Sequence, residues 1–241
     1  MFYFLLAPAL AYNGILIIAA IIPAVILMIR VYRSDRLEKE SPGLLLRLVT
    51  LGVLSSLLAL LEERIASTIL DNTVPQSSVA YNIILYFIIV AGAEESSKYL
   101  FMRLRTWKNP EFNCQYDGVV YAVFVSLGFA LWENISYVMM FGFSAALIRA
   151  VTAIPGHACF GVFMGIFYGI ARRYENEGNH SRSVLFRVLS VIIPAALHGA
   201  YDYIASVNVP GSGWFFVIFV GALFVISFIL VGRMSKKDKF I

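Results

Sequence analysis

Apolar runs of about 20 residues alternate along the chain with short polar segments, and about 20 apolar residues suffice for one helix to cross a bilayer. By that measure seven spans are predicted, at residues 4–29, 44–61, 79–102, 118–141, 147–171, 187–207 and 213–232. The ten-residue alternating segments of a membrane β-barrel do not occur. The pattern therefore predicts an all-α, polytopic helical membrane protein with about seven transmembrane helices. Between spans the chain is thin: DNTVPQSS (71–78) and ENEGNHSRS (175–183) are too short to form a soluble domain. Residues 1–241 are expected to form a single integral membrane domain, with any activity inside the membrane part.

Composition sharpens this. The chain is 60% hydrophobic and 14% charged, whereas a soluble domain is about one-quarter charged. Basic residues also sort by loop. Arg30, Arg33, Arg36, Lys39 and Arg47 fall after the first span, and Arg103, Arg105 and Lys108 after the third. Arg172, Arg173, Arg182 and Arg187 follow the fifth, and Arg233, Lys236, Lys237 and Lys239 the last. All of these loops lie on one side, so the positive-inside rule puts the N-terminus outside and the C-terminus in the cytoplasm. The expected location is a membrane, crossed several times. The net charge of +4 is distributed by topology, so it implies the lipid bilayer as partner and no nucleic acid. MFYFLLAPAL has no basic segment before its apolar run, so no cleaved signal peptide is expected. Cys114 falls in a basic loop and Cys159 in a span, which argues against a structural disulfide.

Against this apolar background, the stretch AGAEESSKYL (91–100) places Glu94, Glu95 and Lys98 within the third span. An ionised group there costs about 2.5–3.5 kcal/mol on insertion scales unless compensated. Four more such groups follow: Glu133 in the fourth span, His157 in the fifth, and His198 with Asp202 in the sixth. Helical rise places them at a common depth near mid-bilayer. Their spacing pairs them further. Lys98 follows Glu95 by three and Glu94 by four residues, Tyr137 follows Glu133 by four, and Asp202 follows His198 by four, so each set shares a helix face. Asp202 is thus placed to orient the His198 ring. Ala153, His157, Gly161, Gly165 and Gly169 form a small-residue stripe that lets helices approach closely. Singly, each feature could serve packing; together, so many ionisable groups at one depth predict a functional site in a mid-membrane cavity. Glu62 and Glu63 are expected to be solvated at the outer interface, and His180 to be solvated in its loop. Cys159 is about 200° round the helix from His157 and is not expected to join the site.

These residues resemble the motifs of the PrsW family of bacterial intramembrane proteases, related to CAAX prenyl endopeptidases and bacteriocin-immunity membrane proteases. The matching elements are Glu94-Glu95-x-x-Lys98, Trp132-Glu133-x-x-x-Tyr137, His157 with Gly161, and His198-x-x-x-Asp202. All four occur in order, one per helix, in the motif-bearing part at about 79–207. Trp132 stands where phenylalanine is commoner. The resemblance implies an intramembrane endopeptidase making the first cut in a single-span, membrane-anchored anti-sigma factor, which opens a stress-response pathway.

Peptide hydrolysis needs an activated water, a proton acceptor and stabilisation of the oxyanion. Two chemistries remain open. In one, Glu133, His157 and His198 hold a zinc ion with Glu94 or Glu95 as base, a usual catalytic zinc set. In the other, of CAAX type, a glutamate and a histidine activate water without metal, and His198 with Asp202 supports the oxyanion. A proton- or ion-coupled transporter is the rival class, but the chain shows no inverted repeat or paired broken helices.

Overall fold

The computed structural model describes residues 2–206 and 211–241. Residue 207, the expected end of the sixth span, lies outside them. The chain forms α1 (Phe2–Ser34), α2 (Pro42–Thr73), and α3 (Val79–Ile83), which runs through a π-helical segment (Ile84–Val90) into α4 (Ala91–Thr106). α5 (Asp117–Phe141), α6 (Phe143–Val151), α7 (Ala153–Asn176), α8 (His180–Ser206) and α9 (Ser212–Lys236) follow. Among the described residues seven helical stretches are long and apolar enough to cross a membrane. The chain is a multi-pass membrane protein, as the hydropathy pattern predicts.

Local chemistry sets the helix starts. Ser41 Oγ accepts from the Leu44 amide at 3.3 Å, with Pro42 in the first turn where its missing N–H is harmless. Ser78 Oγ accepts likewise from the Tyr81 amide at 3.1 Å. Outward-facing side chains stay apolar: Leu46, Leu104 and Met140 are 69%, 74% and 74% exposed. Such a surface suits lipid, since a soluble protein would hide it.

α5 is the central helix, with every residue from Asp117 to Ala130 buried. Glycines let α2 and α7 close on it. A Cβ on Gly165 would sit 2.4 Å from the Gly118 carbonyl oxygen, and one on Gly118 would sit 2.7 Å from that of Gly165. A Cβ on Gly52 of α2 would meet the Val125 carbonyl oxygen at 2.2 Å. The stripe predicted on α7 is therefore the seam by which α7 meets α5.

Two departures from the hydropathy pattern bear on the site. The fifth span is broken into α6 and α7. Gly142, at φ 79°, turns the chain at the end of α5, a conformation glycine adopts without cost. α6 then folds back along α5, and helical geometry is lost at Thr152. Second, α2 continues to Thr73 rather than ending near 61. At 1.5 Å per residue it is about 48 Å long, well beyond the ~30 Å hydrocarbon core. Glu62 and Glu63 thus stay inside the bundle instead of being solvated: Ser97 Oγ donates to Glu62 at 3.2 Å, and Glu63 lines the central cavity.

At the end bearing the basic loops, the C-terminal tail closes on the segment before α5. The Gln115 amide donates to the Lys239 carbonyl at 3.1 Å and the Ile241 amide to that of Asn113 at 2.8 Å. The Tyr116 amide donates to the Asp238 carboxylate at 2.8 Å.

Candidate active site

α4, α5, α7 and α8 bring the sequence-predicted residues together at the inner end of a cavity of about 950 Å³. The π-helical turns precede α4 and set the rotation at which Glu94 and Glu95 emerge; such wide turns recur at functional sites. Glu95 and Lys98 are fully buried, and Glu94, His157 and His198 nearly so, at 6%, 3% and 4% exposure.

Lys98 is the hub. Its ammonium donates to Glu94 at 3.0 Å and to Glu95 at 2.8 Å, and lies 4.0 Å from the centroid of the Phe129 ring. It also reaches His157 Nδ1 at 3.2 Å. An ammonium only donates, so Nδ1 of His157 presents its lone pair here, and the ring hydrogen belongs on Nε2. That nitrogen meets Glu133 Oε2 at 2.8 Å, which accepts it. His198 is held differently. Its Nδ1 lies 2.9 Å from Glu95, a carboxylate that only accepts, so this nitrogen carries a hydrogen here, and its Nε2 faces Asp202 at 3.4 Å. Phe160 stacks on the His198 ring at 4.7 Å and fixes its plane. Each histidine has a carboxylate at its Nε2, Glu133 for His157 and Asp202 for His198.

One ligand atom from each of Glu94, Glu95, His157 and His198 lies within 4.8 Å of the others. Glu133, expected among the metal ligands with His157 and His198, stands outside this set on the far side of His157. Two carboxylates with two imidazoles are a donor set that zinc accepts. Glu95 Oε2 is buried with no hydrogen-bond partner, which leaves a carboxylate oxygen free to take one. These residues fit a metal ion. Glu94, Glu95, His157 and His198 would hold it.

Sequence reasoning missed Arg149, on α6. Its guanidinium lies 2.9 Å from Glu133 Oε2, its Nε donates to Asn134 at 3.0 Å, and it covers the Tyr137 ring at 4.0 Å. The fold-back at Gly142 brings these residues together. Their separations of 12 to 16 positions across a turn follow neither helical period, so only the lone charge in an apolar stretch could have flagged it. Cys159 packs with Phe160 and Leu223 away from the cluster, and His180 is exposed beside Glu175, both as expected. The two cysteines are free.

The cavity has a direction. Its lining from α2, α5, α7, α8 and α9 includes Leu60, Met140, Ala153, Ser206 and Phe216, all in the half of the bundle away from the basic loops. It therefore leads from the acid–histidine cluster toward that face.

Comparison with known proteins gives this arrangement a family. Residues 40–231 match the family described as PrsW family intramembrane metalloprotease. Protease PrsW of Bacillus subtilis (strain 168) is 29% identical over 224 residues, covering 93% of this chain and 95% of the relative. Protease PrsW of Shouchella clausii is 32% identical over 191 residues, 79% of this chain and 83% of the relative. That of Clostridioides difficile (strain 630) is 29% identical, covering 93% and 98%. No solved structure matches the chain. A mid-membrane cluster of two glutamates and two histidines, backed by Glu133 and Asp202, is thus found in a chain that belongs to the PrsW family of intramembrane metalloproteases.

Proposed function

We propose that this intramembrane protease makes the first cut in a single-span, membrane-anchored anti-sigma factor, on the extracytoplasmic side, using zinc held near Glu94, Glu95, His157 and His198. The observation that carries the reading is the position of that cluster, at the inner end of a cavity leading away from the basic loops. With basic loops cytoplasmic, the N-terminus is outside, the C-terminus inside, and the cavity receives chain from the outer leaflet. The anti-sigma factor itself is supported by the family resemblance.

When bound, zinc would polarise the scissile carbonyl and lower the pKa of a bound water. The protein's own groups divide the remaining work. His157 offers Nδ1 as a ligand, with Glu133 holding its Nε2 hydrogen; His198 would offer Nδ1 once the hydrogen it now donates to Glu95 is released, with Asp202 holding the one on Nε2. In this assignment Glu133 orients His157, and the carboxylate ligand comes from Glu94 or Glu95. The other of that pair takes the water proton on a carboxylate oxygen and returns it to the leaving amine. Phe129 and Phe160 wall the cluster on the inner side and limit competing water.

A second reading has an observation of its own. The Lys98 ammonium itself supplies a positive charge between Glu94, Glu95 and His157. A metal-free mechanism would keep it there and let a glutamate and a histidine activate water. The deciding experiment uses the purified protein and an anti-sigma factor tagged at both ends. The zinc reading expects about one zinc per chain, loss of cleavage with a strong chelator, and recovery on adding zinc. Full cleavage by metal-free protein would leave the second reading. Full cleavage by His157→Ala would defeat both.

A further inference from the structure

Toward the basic end of the bundle, outside the active-site cavity, a groove of about 460 Å³ lies between α4 and α8. Tyr99 and Arg103 line it from α4, and Val184, Arg187, Val188 and Ile192 from α8. Trp107 gathers the charges beside it. The guanidinium carbons of Arg103, Arg172 and Arg187 lie 5.9, 5.7 and 5.3 Å from its ring centroid. A ring face attracts each cation, but three like charges around one ring repel each other and call for an anion.

Among the described residues no carboxylate forms an ion pair with any of the three. Glu175 lies near enough to Arg187 to feel its charge, but its ion pair is with His180 at 3.4 Å, and Glu177 pairs with Arg173 at 3.5 Å. The Nε of Arg103, Arg172 and Arg187 is in each case shielded from solvent and without a hydrogen-bond partner. Past Arg187 the groove becomes apolar. Val188 and Ile192, four residues apart on one face of α8, are 46% and 54% exposed. Arg187 stands about 10 Å along α8 from His180, at the level where lipid headgroups meet the chain, and the apolar stripe descends from there into the bilayer.

We propose that this groove binds an anionic phospholipid, with its phosphate on Arg103 and Arg187, Arg172 adding to the field, and an acyl chain along Val188 and Ile192. Guanidinium groups pair with phosphate oxygens through two parallel hydrogen bonds, and basic pockets between membrane helices on the cytoplasmic side hold such headgroups. A free phosphate ion would use the arginines but not the apolar stripe. The two helices the lipid joins are those that carry Glu94 and Glu95 on one side and His198 on the other. Binding would therefore hold the active-site helices together from their basic ends.

The test measures thermal unfolding of the purified full chain in a neutral detergent with added phosphatidylglycerol, phosphatidylcholine of the same acyl chains, or inorganic phosphate. A lipid at a hundredfold excess over its Kd should raise Tm by about 5 °C or more. The expected result is that rise with phosphatidylglycerol alone. It should vanish in Arg103→Gln/Arg187→Gln and persist in Arg233→Gln/Lys236→Gln, which removes the same charge from exposed sites. Equal shifts with both lipids, the same shift with inorganic phosphate, or the same loss in the Arg233/Lys236 variant would overturn the proposal. Should the Arg103/Arg187 variant not fold, native mass spectrometry of the wild type decides: retention of phosphatidylglycerol over phosphatidylcholine upholds the site, and equal retention refutes it.

Discussion

Arg149 shows how one side chain sets the state of another two contacts away. Its guanidinium pairs with Glu133 at 2.9 Å, and Glu133 in turn holds His157 Nε2 at 2.8 Å. The cation keeps Glu133 an acceptor, and the acceptor keeps the lone pair of His157 on Nδ1, where the Lys98 ammonium meets it. Arg149→Met should therefore lower turnover by about 10- to 100-fold, the range for losing a group that orients a ligand, while KM for substrate changes little. Arg149→Lys should recover part of the loss. In a Glu133→Gln background Arg149→Met should add almost nothing, because both changes cut the same chain of contacts. Steady-state kinetics on the four proteins would show it, and independent, multiplicative losses would refute the coupling. The residues at helical spacing, Glu94 with Lys98 and His198 with Asp202, were legible in the sequence because period alone places them on one face. Arg149 was not, because its partners come from a fold-back that only tertiary structure defines.

At the scale of elements, the site depends on how closely α5 and α7 approach. Glu133 rides on α5 and His157 on α7, and their contact at 2.8 Å lies along the same seam as Gly118 and Gly165. Gly165→Val would drive a Cβ to within 2.4 Å of backbone on α5, and backbone cannot swing aside as a flexible side chain can. The helices must part, at a cost of about 3 kcal/mol, and cleavage should fall with stability. Gly221→Ala on α9 is the control: nothing lies within 4 Å of its added Cβ, and alanine is the better helix former by about 1 kcal/mol. Thermal unfolding of both variants, with wild-type behaviour for Gly165→Val, would disprove the seam. The small-residue stripe announced this contact in the sequence. The break at Thr152 and the continuation of α2 past Glu62 and Glu63 were hidden, since hydropathy records whether a residue can face lipid and not whether a neighbouring helix replaces the water.

Over the whole molecule, polar chemistry is divided between two ends. The active-site cavity occupies one half, and the basic end is closed by the first loop, the segment before α5 and the C-terminal tail. Buried carboxyls meet there: Asp35 and Glu40 are only 2% and 4% exposed. Burial, then the Asp117 carboxylate, pushes the Glu40 carboxyl up to about 9. Burial, offset by Lys39 and reinforced by Asp238, pushes Asp35 up to about 6. In the unfolded chain both titrate near 4, so the folded state binds their protons more tightly. Their contribution to stability is complete below about pH 4 and is lost as pH rises, through about 6 for Asp35 and about 9 for Glu40. Tm of the wild type should therefore fall as pH rises through this window. Glu40→Gln keeps a neutral group of the same size beside Tyr121 and Asp117 and should flatten the upper part of that decline. The tail should report the same event, because Asp238 anchors it to the Tyr116 amide beside these acids. Its cleavage by a carboxypeptidase should quicken at alkaline pH in the wild type and less so in Glu40→Gln. If Tm of the two proteins falls in parallel from pH 6 to pH 9, Glu40 is not the group whose ionisation loosens the basic end.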